Sequence, residues 1–151
     1  FTKAIEVEPT DPKRHYERGM FFREKKRYKA AIADLSEAIK LNNKSEIYFC
    51  ARGSALVSDG QYETAIADCT RSLQLNSNRT HPYFSRGIAY RKLGKHQLAL
   101  KDFDEAIKMY PRYGEAFYER SQVYRAMGDL PRAQSDMEMA LKYGYTAPES
   151  M

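Results

Sequence analysis

The stretch THPYFSRGIAYRKLGKHQLALKDFDEAIKMYPRY, residues 80–113, decides how this chain is read. In its first half Tyr83, Arg86-Gly87 and Tyr90 fall at helical spacing. In its second half Ala99, Phe103 and Ala106 recur at i, i+4, i+7. Leu93-Gly94-Lys95 interrupts the pattern between the halves, and Pro111 closes it. The stretch therefore predicts two amphipathic helices of similar length joined by a tight turn. Slid by 34 residues, the pattern returns.

Working outward, whole columns repeat at that spacing. Gly19, Gly53, Gly87 and Ser121 form a small-residue column; Ala31, Ala65, Ala99 and Ala133 form another. Asp34, Asp68, Asp102 and Asp136 form an acidic column, and Arg18, Arg52, Arg86 and Arg120 a basic one sixteen residues earlier. Close packing accounts for the small residues, which let one helix lie against its partner while bulky neighbours fill the remaining space. One helix pair cannot bury both of its apolar faces, so successive pairs stack into a solenoid. The fold class is all-α, a superhelical solenoid of antiparallel helix pairs. The regular basic and acidic columns predict a structural ion pair repeated between packed helices.

The pattern resembles the tetratricopeptide repeat family, whose unit is a helix–turn–helix marked by an aromatic, Gly, Tyr, Ala, Phe, Ala and Pro in order. The first aromatic is His15, Phe49, Tyr83 and Phe117 in successive units, so the first unit departs from the pattern. The Tyr column reads Phe22, Leu56, Tyr90, Tyr124, and the large residue facing it reads Leu35, Cys69, Phe103, Met137. The late small residue is Ala38, Ser72, Ala106 and Ala140. Pro survives only as Pro9 and Pro111. Four units are assigned, at 12–45, 46–79, 80–113 and 114–147. Residues 1–11 match the end of a second helix from a truncated unit, through Phe1, Ala4 and Pro9; residues 148–151 would start the next segment. A fragment of a longer array is expected, with uncapped ends able to self-associate.

The resemblance implies a right-handed superhelix with a concave groove lined by one face of each first helix. Carried onto this chain, that face presents Tyr16, Met20, Arg23, Cys50, Ser54, Phe84, Ile88, Arg91, Lys92, Tyr118, Gln122 and Arg125. Tyr16, Phe84, Ile88 and Tyr118 are apolar or aromatic where the core does not require them. Arg23, Arg91, Lys92 and Arg125 lie a turn further on as charge partners. Such a surface suits a peptide carrying acidic and apolar residues. A subclass of the family holds the C-terminal carboxylate of heat-shock chaperones with a Lys, Asn, Asn, Lys, Arg clamp. Those slots hold Tyr16, Met20, Ala51, His81 and Ser85 in one register, and Cys50, Ser54, Ser85, Glu115 and Glu119 in the next. Neither register supplies the cations and amides, so a chaperone clamp is not expected.

Within its connections, Asp11-Pro12 reads as an N-cap followed by Pro at the first helical position. Ser45 reads as the cap of the helix that follows. The turn at residues 24–27 has Lys26 where the others have Gly60, Gly94 and Gly128, and is expected to be tighter or distorted.

Composition narrows the function classes. Hydrophobic residues make up 42% and charged residues 30% of 151, as in soluble proteins, and no apolar run approaches the roughly 18–20 residues of a membrane span. Two cysteines, Cys50 in an outward slot and Cys69 in a core slot, give no disulfide and point to a reducing, cytoplasmic setting. Charge is uneven: the first unit carries ten Lys/Arg against four Asp/Glu, densest at Arg23, Lys25, Lys26, Arg27 and Lys29. That excess leaves open electrostatic binding to nucleic acid or anionic membrane, although no RNA-binding motif accompanies it. His15, His81 and His96 lie apart in the register, with no zinc spacing, phosphate loop or nucleophile elbow. No enzyme activity, metal or cofactor is expected. The chain reads as a protein-interaction scaffold or adaptor, in a family that also serves chaperone systems, with a self-associating structural segment as the alternative.

Overall fold

A computed structural model describes residues 10–146; the expectations placed on 1–9 and on 148–151 lie outside that range. Eight helices follow one another: α1 Pro12–Glu24, α2 Tyr28–Leu41, α3 Glu46–Ser58, α4 Tyr62–Leu75, α5 Thr80–Lys92, α6 His96–Met109, α7 Gly114–Ala126 and α8 Leu130–Lys142. No strand occurs among the described residues.

Local chemistry sets the helix ends. Asp11 caps α1 by accepting a hydrogen bond from the Lys13 N–H at 2.9 Å, with Pro12 in the first turn. Asp129 caps α8 in the same way, accepting from the Arg132 N–H at 3.1 Å. Ser45 occupies the N-cap position of α3 but makes no side-chain cap bond, which corrects the capping expectation. Inside each pair the chain turns through a left-handed residue: Gly60, Gly94 and Gly128 have φ of 79°, 72° and 80°. Lys26 takes the same role at φ 57°. The first turn is therefore neither tighter nor distorted. Its closing bond, Arg27 N–H to the Phe22 carbonyl at 2.9 Å, matches Gln61 to Leu56, Lys95 to Tyr90 and Asp129 to Tyr124 at the same length.

Within a pair, the glycine column sits against the large residue of the second helix. A β-carbon built on Gly53 would lie 2.7 Å from Cys69 Sγ, and one on Gly87 would lie 2.7 Å from Phe103 Cε1. Phe103 and Leu35 are fully buried, as are Ala31, Ala65 and Ala99. Ser72 stands in an alanine slot, fully buried, and its hydroxyl donates to the Glu46 carbonyl at 2.8 Å.

Between pairs the two helix layers behave differently. The first helices α1, α3, α5 and α7 touch their counterparts in the next pair, whereas the second helices do not. Crowding on one side and splaying on the other bends the stack. The first helices consequently form the inner, concave layer.

Candidate functional site

Two recurring arrangements stand out, one holding the helix pairs together and one on the inner face. In the first, each column arginine grips its aspartate with two bonds. Arg18 Nε and Nη2 donate to Asp34 at 2.7 and 2.6 Å; Arg52 donates to Asp68 at 2.6 and 2.8 Å. Arg86 reaches Asp102 twice at 2.8 Å, and Arg120 reaches Asp136 twice at 2.7 Å. The four aspartates are buried, between 2% and 5% exposed.

The arginines also reach a group that sequence reasoning missed. Arg52 Nη1 donates to Ser36 Oγ at 3.1 Å, Arg86 Nη1 to Thr70 Oγ1 at 3.0 Å, and Arg120 Nη1 to Asp104 Oδ1 at 2.8 Å. Ser36, Thr70 and Asp104 belong to the second helix of the preceding pair. Each of these three arginines thus ties its own pair together and fastens that pair to the one before. The signal was available, since Ser36, Thr70, Asp104 and Glu138 share the 34-residue spacing, but their chemical variety hid it.

On the inner face, several expected contact residues are already occupied. Tyr16 packs on Tyr48, ring centroids 5.3 Å apart, and with Met20 flanks the buried cluster of Ala31, Leu35, Ala51 and Ala55. Phe84 packs on Tyr113 at 4.8 Å and, with Ile88, against buried Ala99, Phe103 and Val123. Tyr118 stacks on Tyr145 at 4.2 Å. These side chains are half-buried, so each offers an edge and not a free ring, contrary to the expectation that the core does not use them. Ser54 and Gln122 are half-buried too, and Lys92 and Arg125 are exposed.

Two expected residues change role. Cys50 is buried, at 7% exposure, and burial pushes its thiol up to about 11, so its outward slot is corrected to an inward one. Cys69 is buried as well, and both cysteines are free. Arg91 is not available as a charge partner, because its Nε donates to Glu119 Oε2 at 2.7 Å. Burial raises the Glu119 carboxyl above its usual range, while Arg91 pulls it back.

A cavity of about 160 Å³ opens on this face, lined by Tyr16, Met20, Arg23, Ile47, Cys50, Ala51, Arg79 and His81. Arg23 sits in the last turn of α1, and Arg79 immediately precedes α5. His81 keeps an exposed edge, yet loss of water around its ring lowers its pKa, and Arg23 and Arg79 lower it further. Arg79 falls in a connector outside the helical period, which is why the pattern did not single it out. Among the described residues no group of three or more His, Cys, Asp or Glu side chains is placed to hold a metal ion. No described helix is long and apolar enough to cross a membrane.

Tetratricopeptide repeat profiles match residues 12–45, 48–79 and 82–113. The chain belongs to the tetratricopeptide repeat family. The fourth pair, α7 and α8, lies beyond those matches but carries the same Arg120–Asp136 pair and the same closing bond at its turn. Among solved structures, the chain is similar to MamA, with a TM-score of 0.84 at 21% identity, covering 94% of this chain and 83% of that one. It is similar to YrrB, described as a TPR protein with an unusual peptide-binding site, with a TM-score of 0.79 at 24% identity over 95% of this chain and 74% of that one. The first TPR of Spaghetti (RPAP3), bound to the HSP90 peptide SRMEEVD, gives 0.75 at 24% identity over 78% of this chain and 94% of that one. At such identities the likeness concerns the tetratricopeptide fold. No curated protein matches the sequence.

Proposed function

We propose that this tetratricopeptide array is a protein-interaction module that captures a peptide segment of a partner on its concave face, with no catalytic step. The observation that carries the reading is the inner-face cavity, where half-buried Tyr16 and Met20 meet Ile47 and two arginines. Half-buried apolar edges beside cations are the chemistry by which a preformed groove takes an extended chain: the edges lose water on contact, and the cations orient the segment. The solved relatives YrrB and Spaghetti (RPAP3), described respectively as having a peptide-binding site and as bound to a peptide, lend the reading support. Lys92 and Arg125, in the last turns of α5 and α7, are exposed and add positive charge to the inner layer.

Selection from a random peptide pool tests the reading. Native protein should retain a defined set of sequences, and Ser54→Trp, which fills the inner face, should lose them while keeping its helical content. A paired change on the exposed outer layer, Lys101→Ala with Lys108→Ala, should retain the same set. Equal retention by the Ser54→Trp protein would overturn the groove.

A second reading rests on α8. Leu141 occupies the position of Ile39 in α2; Ile39 is 9% exposed beneath the following pair, whereas Leu141 is 59% exposed. Such an apolar face favours stacking of a further helical unit, including another copy. Sedimentation across a concentration series separates the readings: growth in size that Leu141→Glu abolishes supports stacking, and a constant monomer overturns it.

A further inference from the structure

Resting on that groove reading, we propose that the cavity between α1, α3 and the start of α5 is a subsite for one side-chain carboxylate. It would take an Asp or Glu within an extended partner segment, held between Arg23 and Arg79.

Charge comes first. Arg23 and Arg79 line one cavity, and neither side chain has a hydrogen bond, ion pair or ring contact with any described residue. Within the same layer Arg18, Arg52, Arg86 and Arg120 are committed to buried aspartates and Arg91 to Glu119, while exposed Arg125 does not line this cavity. No acidic side chain lines the cavity. Two guanidinium groups in one concavity repel each other and gain most from an anion that both can contact. His81 stands on the same rim with an exposed edge, its proton disfavoured by partial desolvation and by these two arginines, which fits a site where positive charge lacks a counter-charge. Glu46 acts on Cys50 at the cavity floor but does not line the space.

Size and wall chemistry narrow the ligand. The cavity of about 160 Å³ corresponds to roughly five waters, room for one side chain but not for a folded element. Its remaining walls are Met20, Ile47, Ala51 and Tyr16, with no amide side chain among them. A chain terminus brings a carboxylate and its own peptide N–H together, and side-chain amides are what would read that combination. Here the apolar walls suit the methylenes of an acidic side chain and an apolar neighbour continuing along the groove. An internal acidic residue is therefore the occupant.

The experiment uses a synthetic peptide pool, N-acetylated and C-amidated, selected on native protein and on Arg23→Gln, Arg79→Gln and the double variant. Native protein should enrich Asp or Glu at one position next to an apolar residue. Replacing that acid by Gln in a selected peptide should weaken binding about tenfold, the loss of one charge-assisted contact. The double variant, with helical content unchanged, should still retain peptides while losing the acidic preference. On binding of the acidic peptide, the pKa of His81 followed by NMR should rise, and with the Gln peptide it should not. Retained peptides without an acidic preference, or a preference surviving in the double variant, would overturn the subsite and leave the groove standing. Enrichment appearing only in a pool with free C-termini would assign the arginines to a terminal carboxylate and overturn the side-chain proposal. A single-stranded RNA oligonucleotide bound in place of any peptide, and lost in the double variant, would assign them to phosphate. Failure of native protein to retain any peptide would overturn the groove itself.

Discussion

Gly53 and Lys26 show how much a single atom decides in this array. A β-carbon at Gly53 would sit 2.7 Å from Cys69 Sγ, closer than real β-carbons approach any atom. Gly53→Ala should therefore destabilise the fold by about 1–3 kcal/mol in denaturant unfolding, with most of the loss recovered in Gly53→Ala/Cys69→Ala. The column has one exception, Ser121, whose register partner is the flexible Met137 and whose hydroxyl donates to the Tyr118 carbonyl at 2.6 Å. Lys26 poses the opposite problem. Its φ of 57° lies in the left-handed region, which costs a side-chain-bearing residue about 1–2 kcal/mol. Lys26→Gly should stabilise the protein, net of glycine's added freedom in the unfolded chain, by about 0.5–1 kcal/mol. A lower midpoint in that variant would count against the strained-turn account.

At the scale of elements, the unit of cohesion is an arginine and the three helices it joins. Removing Asp102, which is 2% exposed, leaves Arg86 without its two short bonds. The Arg86 side chain keeps 18% exposure and so part of its hydration, which puts the cost of Asp102→Ala near the lower end of that for a broken buried pair, about 3 kcal/mol. Peptide binding by the refolded variant should be nearly unchanged, because neither residue lines the inner-face cavity. Thr70→Val removes only the bond to the preceding pair and should cost about 1 kcal/mol. Denaturant unfolding of the two single variants and the pair would apportion the tie within a helix pair and the tie between pairs. Equal, negligible losses would mean that packing alone holds the stack.

Across the whole molecule, Arg91 and Glu119 link α5 to α7 on the inner side. Burial raises the Glu119 carboxyl above its ordinary 4.5, and Arg91 is what opposes the rise. In Arg91→Ala the folded-state pKa of Glu119 should climb further. A carboxyl whose pKa is higher folded than unfolded contributes fully below the unfolded value and loses that contribution as pH rises through the folded value. Thermal melts of Arg91→Ala should therefore show stability falling as pH rises from about 4.5, with Arg91→Ala/Glu119→Gln flattening the slope. A profile parallel to that of native protein would argue that the pair carries little of the coupling between successive units.

The helical pairing, the 34-residue period and the columns of Gly, Ala, Arg and Asp were legible in the chain, because each records contacts within one helix pair at fixed offsets. Cys50, Arg91 and Arg79 were misread or missed for a common reason. Helical spacing tells which face of its own helix a residue occupies, but not what the next pair lays over that face. The lateral offset between successive first helices buries Cys50, brings Glu119 within 2.7 Å of Arg91, and sets connector residue Arg79 beside Arg23. The sequence by itself determined the solenoid; only the tertiary structure decided which inner-face charges are matched and which remain free, because that choice depends on the curvature of the stack.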